Sequence, residues 1–235
     1  LQYSIVIPVY NEEECLAGLF ARLDETLLAL GGDYEVIYID DGSTDRSAEI
    51  LKERAAKDPR TRVIRFERNA GQSSAFDAGF KASRGDVVIT MDADLQNDPA
   101  DIPKLLEKLN EYDAASGWRV RRQDGLRKRV STKIANWVRN KLSGEEVRDS
   151  ASSLKAFKRE ALMKVRMFNG AHRFMPTLVK MEGYRVAEVP VSHHPRRAGT
   201  AKYGVWNRMF RAFHDLIGVR WMKSRRLTYR IKGEQ

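Results

Sequence analysis

Two apolar patterns alternate along the first half of this chain, and that alternation limits its fold more than any other feature. Residues 5–9 (Ile-Val-Ile-Pro-Val), 35–39 (Glu-Val-Ile-Tyr-Ile), 62–66 (Arg-Val-Ile-Arg-Phe) and 87–91 (Val-Val-Ile-Thr-Met) are short runs rich in β-branched residues. Such runs suit strands buried on both faces. Between them, apolar residues recur at helical spacing. Leu16, Leu19, Phe20, Leu23 and Leu27 precede a stop at Gly31-Gly32, and Ala48, Leu51 and Ala55 follow a cap at Ser43 or Thr44. Ala75, Ala78 and Gly79 mark a third helix, and Pro99 opens a fourth through Leu105, Leu106 and Leu109. Strands alternating with helices predict an α/β fold with a mostly parallel sheet covered on both faces. A chain of 235 residues, 42% of them apolar, suits one sizeable domain, or one with an appendage. The single cysteine, Cys15, allows no internal disulfide and reads as a small buried hydrophobe of the first helix, in keeping with a reducing compartment.

In sheets of this kind, ligands bind beyond the carboxyl ends of the strands. Three polar clusters fall there: Tyr10-Asn11-Glu12, Asp40-Asp41-Gly42-Ser43 and Asp92-Ala93-Asp94. The topology gathers them at one edge although they are far apart in sequence. Asp92 and Asp94, with Gln96 as a further oxygen donor, form a set that suits Mg²⁺ or Mn²⁺ held against a diphosphate; a solvated loop after a strand is the plainer reading. Asp40 and Asp41 suit hydrogen bonds to a base or ribose, or simply a strand-to-helix turn. The stretch Asn69-Ala70-Gly71-Gln72 reads as a close backbone approach or a helix entry.

The second half is basic. Arg119, Arg121, Arg122, Arg127, Lys128, Arg129 and Lys133 accompany Leu126, Val130, Ile134, Val138 and Leu142, an amphipathic helical pattern. Its arginines suit phosphate, nucleic acid or a solvated face. The net charge of +10 calls for anionic partners. No helix-turn-helix, zinc-finger or RNA-stacking signature is present, so nucleic acid is not expected. A strand is predicted at 184–189. In the final helix Trp206, Met209, Phe210, Phe213, Ile217 and Trp221 share one face, fit either for the domain core or for a membrane surface. His193-His194 has no ligand spacing with His172, His214 or Cys15, so no metal is assigned to it. No run is long enough to cross a membrane, and residues 1–5 lack the pattern of a secretory signal.

Taken together, residues 5–13 (Ile-Val-Ile-Pro-Val-Tyr-Asn-Glu-Glu), 40–45 (Asp-Asp-Gly-Ser-Thr-Asp), Asn69-Ala70-Gly71 and 92–96 (Asp-Ala-Asp-Leu-Gln) resemble glycosyltransferase family 2. The resemblance runs to about Tyr203. It implies a GT-A fold, Rossmann-like, and the ending Asp-Leu-Gln resembles the polyprenyl-phosphate branch. By that resemblance Pro8, Tyr10, Asn11, Glu12, Asp40, Asp41 and Gly71 line the nucleotide site, while Asp92, Asp94 and Gln96 hold the metal. Arg119, the Arg127 and Ser131 pair, and Arg196 and Lys202 of a basic loop face phosphate. Ala201 departs from the serine usual in that loop, and Ser153-Leu154 from a frequent Gly-Phe.

The expected activity is inverting, metal-dependent hexosyl transfer from a UDP- or GDP-sugar to a polyprenyl phosphate, serving cell-envelope glycan synthesis. Residues 1–202 form the catalytic domain in this reading, and 203–235 a basic amphipathic helix and tail. The expected place is the cytoplasmic face of the membrane, as a peripheral enzyme or as a piece of a longer membrane-spanning protein. Two alternatives stand beside it: transfer to a hydroxyl acceptor with Asp149 as base, and a non-catalytic nucleotide- or membrane-binding module. A nucleotidyltransferase is less in keeping, since its glycine- and arginine-rich phosphate loop is missing after the first strand.

Overall fold

The computed structural model describes residues 1–120, 149, 152–195 and 205–227, with 205–213 described by backbone alone. The described strands form one seven-stranded sheet in the order β3-β2-β1-β4-β6-β5-β7. They are β1 (Tyr3–Val9), β2 (Tyr34–Asp40), β3 (Thr61–Arg65), β4 (Val87–Thr90), β5 (Ala114–Arg119), β6 (Lys155–Lys158) and β7 (Val186–Val191). All neighbours are parallel except β6, which runs antiparallel to both β4 and β5. The described helices are α1 (Glu13–Leu30), α2 (Ser47–Lys57), α3 (Gln72–Ala82), α4 (Ile102–Lys108), α5 (Arg159–Lys164), α6 (Met175–Met181) and α7 (Val205–Ser224).

Period-two alternation sorts the strand side chains into two apolar layers. Ile5 and Ile7 of β1, with Val36 and Tyr38 of β2, face Leu16, Leu19, Leu23 and Leu27 of α1 and Leu105 of α4. Val6, Ile37, Ile39 and Val88 face the other way, against Phe76 and Phe80 of α3, Leu162 of α5, Leu178 of α6, and Leu216 and Val219 of α7. Every residue of β2 is buried; full burial of each large apolar side chain contributes about 1.5–3 kcal/mol. Cys15 lies in the first layer, as its place in the helical pattern suggests.

Several local expectations are corrected. Neither Ser43 nor Thr44 caps α2: Ser43 Oγ accepts from Asn11 N (3.0 Å), and Asp45 Oδ1 takes the N–H of Ser47, where the helix starts (2.9 Å). Pro99 opens a single 3-10 turn, with α4 beginning at Ile102. The predicted strand at 184–189 lies two residues further on, as β7. Among the described side chains of α7, Leu216 and Val219 are buried, whereas Ile217 and Trp221, from the stripe that suited either core or membrane surface, are 51% and 63% exposed. The expected basic helix around 126–142 falls outside the described residues.

Candidate active site

The first three strand ends meet through side chains that fasten one turn to the next. Asn11 follows β1 in a left-handed conformation (φ 53°). Its Oδ1 accepts from Thr44 N (2.8 Å), and Glu12 N donates to Ser47 Oγ (2.9 Å). Asp40, the last residue of β2, is fully buried; Oδ1 accepts from Ser43 N (2.9 Å) and Oδ2 lies 3.1 Å from Arg65 Nε. Asp41 points its carboxylate at the next loop, where Oδ1 accepts from Ala70 N (2.7 Å), and Oδ2 from Gly71 N (2.9 Å) and Asn69 Nδ2 (3.0 Å). Burial pushes the Asp41 carboxyl above its ordinary range despite these donors. Gly42 (φ 71°) sits where a side chain would collide with the backbone of Arg68 and Asn69, so the two loops touch directly. Pro8, Tyr10, Asn11 and Glu12 are all partly exposed beside this buried pair of aspartates.

The fourth strand end carries Asp92, Ala93 and Asp94. Asp92 is partly exposed and Asp94 buried. Gln72, the first residue of α3, donates Nε2 to Asp92 Oδ1 at 2.6 Å. Ser153, just before β6, takes the Asp92 N–H on its hydroxyl oxygen (3.1 Å). Leu95 adopts φ 60°, rare for a leucine, and buries its side chain in the core beside α1. The loop is therefore fixed by an apolar plug as well as by hydrogen bonds. Gln96 is half-buried, and its N–H closes onto Asp94 Oδ1 (3.2 Å).

Burial, and then the charge of Asp94, push the Asp92 carboxyl up to about 6; Glu12 adds to this, while Ser153 and Lys155 oppose it. Two carboxylates so close repel each other, and a cation between them would relieve the repulsion. Hard oxygen donors of this kind suit Mg²⁺ or Mn²⁺. Among the described residues no group of three or more His, Cys, Asp or Glu is placed to hold a metal ion.

Arg119 ends β5, beyond the antiparallel β6. Its guanidinium forks onto buried Asp149, Nε to Oδ2 (2.7 Å) and Nη2 to Oδ1 (3.0 Å), the bidentate geometry that fixes an arginine most firmly. Lys155 of β6 is buried nearby, its Nζ bonded to Ser152 O. Burial lowers the Lys155 ammonium to about 8, against the pull of Asp92 and Asp149. Arg127, Ser131, Arg196 and Lys202 lie outside the described residues. His194 serves the loop after Asp94, with Nε2 3.0 Å from Asp98 Oδ2 and its N–H on Gln96 O (2.9 Å).

Sequence reasoning named Gln72 only within a close approach or helix entry and Ser153 only as a departure from a frequent Gly-Phe; it missed their contacts with Asp92, the burial of Lys155 and the contact of Ser73 Oγ with His172 Nδ1 (2.6 Å). These contacts had no signal. A buried lysine runs against the usual distribution of that residue, and the others depend on long-range pairing.

Residues 4–166 match the family described as glycosyl transferase family 2, and the chain belongs to it. Among its relatives is the dodecaprenyl-phosphate galacturonate synthase of Rhizobium johnstonii, 35% identical over 225 residues, which cover 93% of this chain and 66% of that protein. The undecaprenyl-phosphate 4-deoxy-4-formamido-L-arabinose transferase of Pectobacterium atrosepticum is 39% identical over 217 residues, 91% of this chain and 66% of that one. The chain thus spans about two thirds of the length of these curated relatives. In fold it resembles the glucosyl-3-phosphoglycerate synthase from Mycobacterium tuberculosis, solved with Mn²⁺, uridine diphosphate and phosphoglyceric acid. The TM-score is 0.71 at 20% identity, covering 97% of this chain and 80% of that one. The fold is GT-A, as the resemblance implies.

Proposed function

We propose that this chain transfers one sugar, with inversion, from a nucleotide-sugar donor to a polyprenyl phosphate. The observation that carries the proposal is that a pair of carboxylates and an arginine oriented by its own carboxylate stand on one sheet edge. Asp92 and Asp94 stand at the end of β4, and the Arg119–Asp149 pair at the end of β5, with β6 between them. The two relatives described above are named for polyprenyl-phosphate sugar transfer. Their names include an arabinose derivative and a galacturonate, so the sugar is left as a glycosyl group and not narrowed to a hexose.

In this reading Pro8, Tyr10, Asn11, Glu12, Asp40 and the loop that Asp41 holds at Gly71 bind the nucleotide. Asp92, Asp94 and Gln96 would hold Mg²⁺ or Mn²⁺, which supplies charge neutralisation at the departing diphosphate. Arg119, with Arg127, Ser131, Arg196 and Lys202, receives the acceptor phosphate. That phosphate oxygen is already anionic, so no strong base is needed and the protein's work is positioning and charge stabilisation. UDP and GDP donors both suit such carboxylate contacts.

Contact with a membrane surface belongs to the same proposal. Ile217 and Trp221 stand exposed on α7 among exposed Arg220, Lys223, Arg225 and Arg226, an apolar face rimmed by cations. Among the described residues no helix is long and apolar enough to cross a membrane. Residues 1–202 act as the catalytic unit in this reading, and 203–235 as the surface-binding segment.

A hydroxyl acceptor is the second reading, and it would call on Asp149 as base. Both Asp149 oxygens accept from Arg119, which favours an orienting task for this carboxylate instead. The test compares undecaprenyl phosphate with undecaprenol under the same nucleotide-sugar panel. Glycolipid formed with the phosphate alone is the expected result. Glycosylation of the free alcohol would transfer the case to the hydroxyl reading, and no product with either lipid, together with no nucleotide binding, would leave only a non-catalytic module.

A further inference from the structure

Ser153 lies outside every set of residues assigned above to donor, cation or acceptor, yet one hydroxyl there holds both ends of the Asp92–Asn97 loop. Its oxygen accepts from Asp92 N at the loop's start (3.1 Å) and from Asn97 Nδ2 at its end (2.7 Å). The hydroxyl also lies close enough to the Asp92 carboxylate to favour its charged form. The backbone of the same residue is tied down as well, since Ser153 O accepts from Thr90 Oγ1 on β4 (2.7 Å). Ser153 and Asn97 are both buried. A hydroxyl carries one donor and two acceptor sites, and here both acceptor sites are used on a single loop.

The loop needs such a hold. Between its two fastened ends Leu95 takes a left-handed conformation (φ 60°), a strained state that persists only where its surroundings over-determine it. Asn97 in turn forms an isolated bridge with His193 beyond β7, so the hydroxyl links β4, β6 and the end of β7 around the carboxylates. Four residues upstream of Ser153, Asp149 holds Arg119. One short segment thus reaches the cation side with one residue and the acceptor side with another.

We propose that Ser153 is a positioning residue for the cation site, fixing the orientation of the Asp92 carboxylate and the span of the loop that carries Asp94. The proposal rests on the reading of Asp92 and Asp94 as cation ligands. Partners that orient metal ligands typically contribute 10–100-fold to affinity or activity. Loss of the Ser153 hydroxyl is therefore expected to weaken Mn²⁺ binding by about 10–100-fold, with kcat falling and the KM for the acceptor lipid little changed.

The experiment measures Mn²⁺ affinity by titration calorimetry in the presence of nucleoside diphosphate, for the wild-type chain, Asp94→Ala, Ser153→Ala, Ser153→Thr and Ser153→Val. Wild-type binding that is lost in Asp94→Ala establishes the underlying cation site. Absence of wild-type binding would remove that site and the proposal with it. Given wild-type binding, Ser153→Ala should bind about 10–100-fold more weakly. Thr and Val have the same shape, so their ratio reports the hydroxyl even if both variants are less stable. Thr is expected to bind at least tenfold more tightly than Val. Equal affinities for wild type and Ser153→Ala, or for Thr and Val, would overturn the role of Ser153 and leave the cation site standing.

Discussion

Gln72 and Asp92, twenty residues apart, meet at 2.6 Å, the amide of the first residue of α3 donating to a carboxylate oxygen beyond β4. That contact joins the third βα unit to the fourth at the point where a cation would sit. The amide orients Asp92 without adding charge. Gln72→Ala should lower Mn²⁺ affinity and kcat by about 10–100-fold. Gln72 is only half-buried, so the melting temperature should change little. Calorimetry with Mn²⁺ beside a thermal melt separates the two effects.

Gly18 and Leu95 offer a second handle on the same loop. A side chain added at Gly18 would come within 3.2 Å of Leu95 Cδ1, so Leu95 would have to shift. Replacing a mid-helix glycine by alanine ordinarily stabilises a helix by about 1 kcal/mol. Gly18→Ala should therefore leave the melting temperature equal or higher while weakening Mn²⁺ binding by about tenfold. A parallel fall in both would mean that Leu95 serves packing alone.

The raised carboxyl of Asp92 sets a pH dependence. Its folded value, about 6, lies above the ordinary aspartate value of about 3.9. Between those values the folded chain binds more protons than the unfolded chain, so stability of the cation-free protein falls as pH rises through that window. A bound cation takes the proton's place. The melting-temperature increase on adding Mn²⁺ should thus be small at about pH 5 and grow towards about pH 7.5. Melts across that range with and without Mn²⁺ check the sign.

At the opposite end of the strands Glu35 lies in a buried network remote from this chemistry. Burial works against its charge, but Ser4 Oγ (2.7 Å), Arg62 Nη1 (2.6 Å) and Arg84 N (2.8 Å) outweigh burial and hold it below the ordinary carboxylate range. A depressed acid contributes stability above its unfolded value, lost as pH falls through the folded one. Glu35→Gln should cost about 2–3 kcal/mol in urea unfolding at neutral pH, and less in acid. Turnover of the folded fraction should be unchanged.

The first four strands and their polar ends were legible because β-branched runs such as Val87–Thr90 and Tyr34–Asp40 have no other comfortable conformation. β5 and β6 were not. Ala-Ala-Ser-Gly-Trp-Arg lacks a β-branched residue, and Lys-Ala-Phe-Lys is short and begins with a lysine, so tertiary pairing overrides local preference there. In α7 the sequence left the aromatic stripe between core and membrane surface; of its described members Ile217 and Trp221 are exposed, whereas Leu216 and Val219 meet the core. The carboxylates of the site could be read from strand ends. The contacts of Gln72 and Ser153 could not, because their partner Asp92 lies 20 and 61 residues away, nor could Lys155, whose burial runs against the habit of its residue type.

The most direct test of the account is the mass of the lipid product. Purified protein is incubated with undecaprenyl phosphate and a panel of UDP- and GDP-sugars, with Mn²⁺ or with chelator, alongside Asp92→Ala and Asp94→Ala. A lipid heavier by one glycosyl residue is expected for at least one donor, formed with Mn²⁺ by the wild-type chain and absent with chelator or with either variant. Undiminished product from Asp92→Ala and Asp94→Ala, or no glycosylated lipid from any donor in the panel, would contradict it.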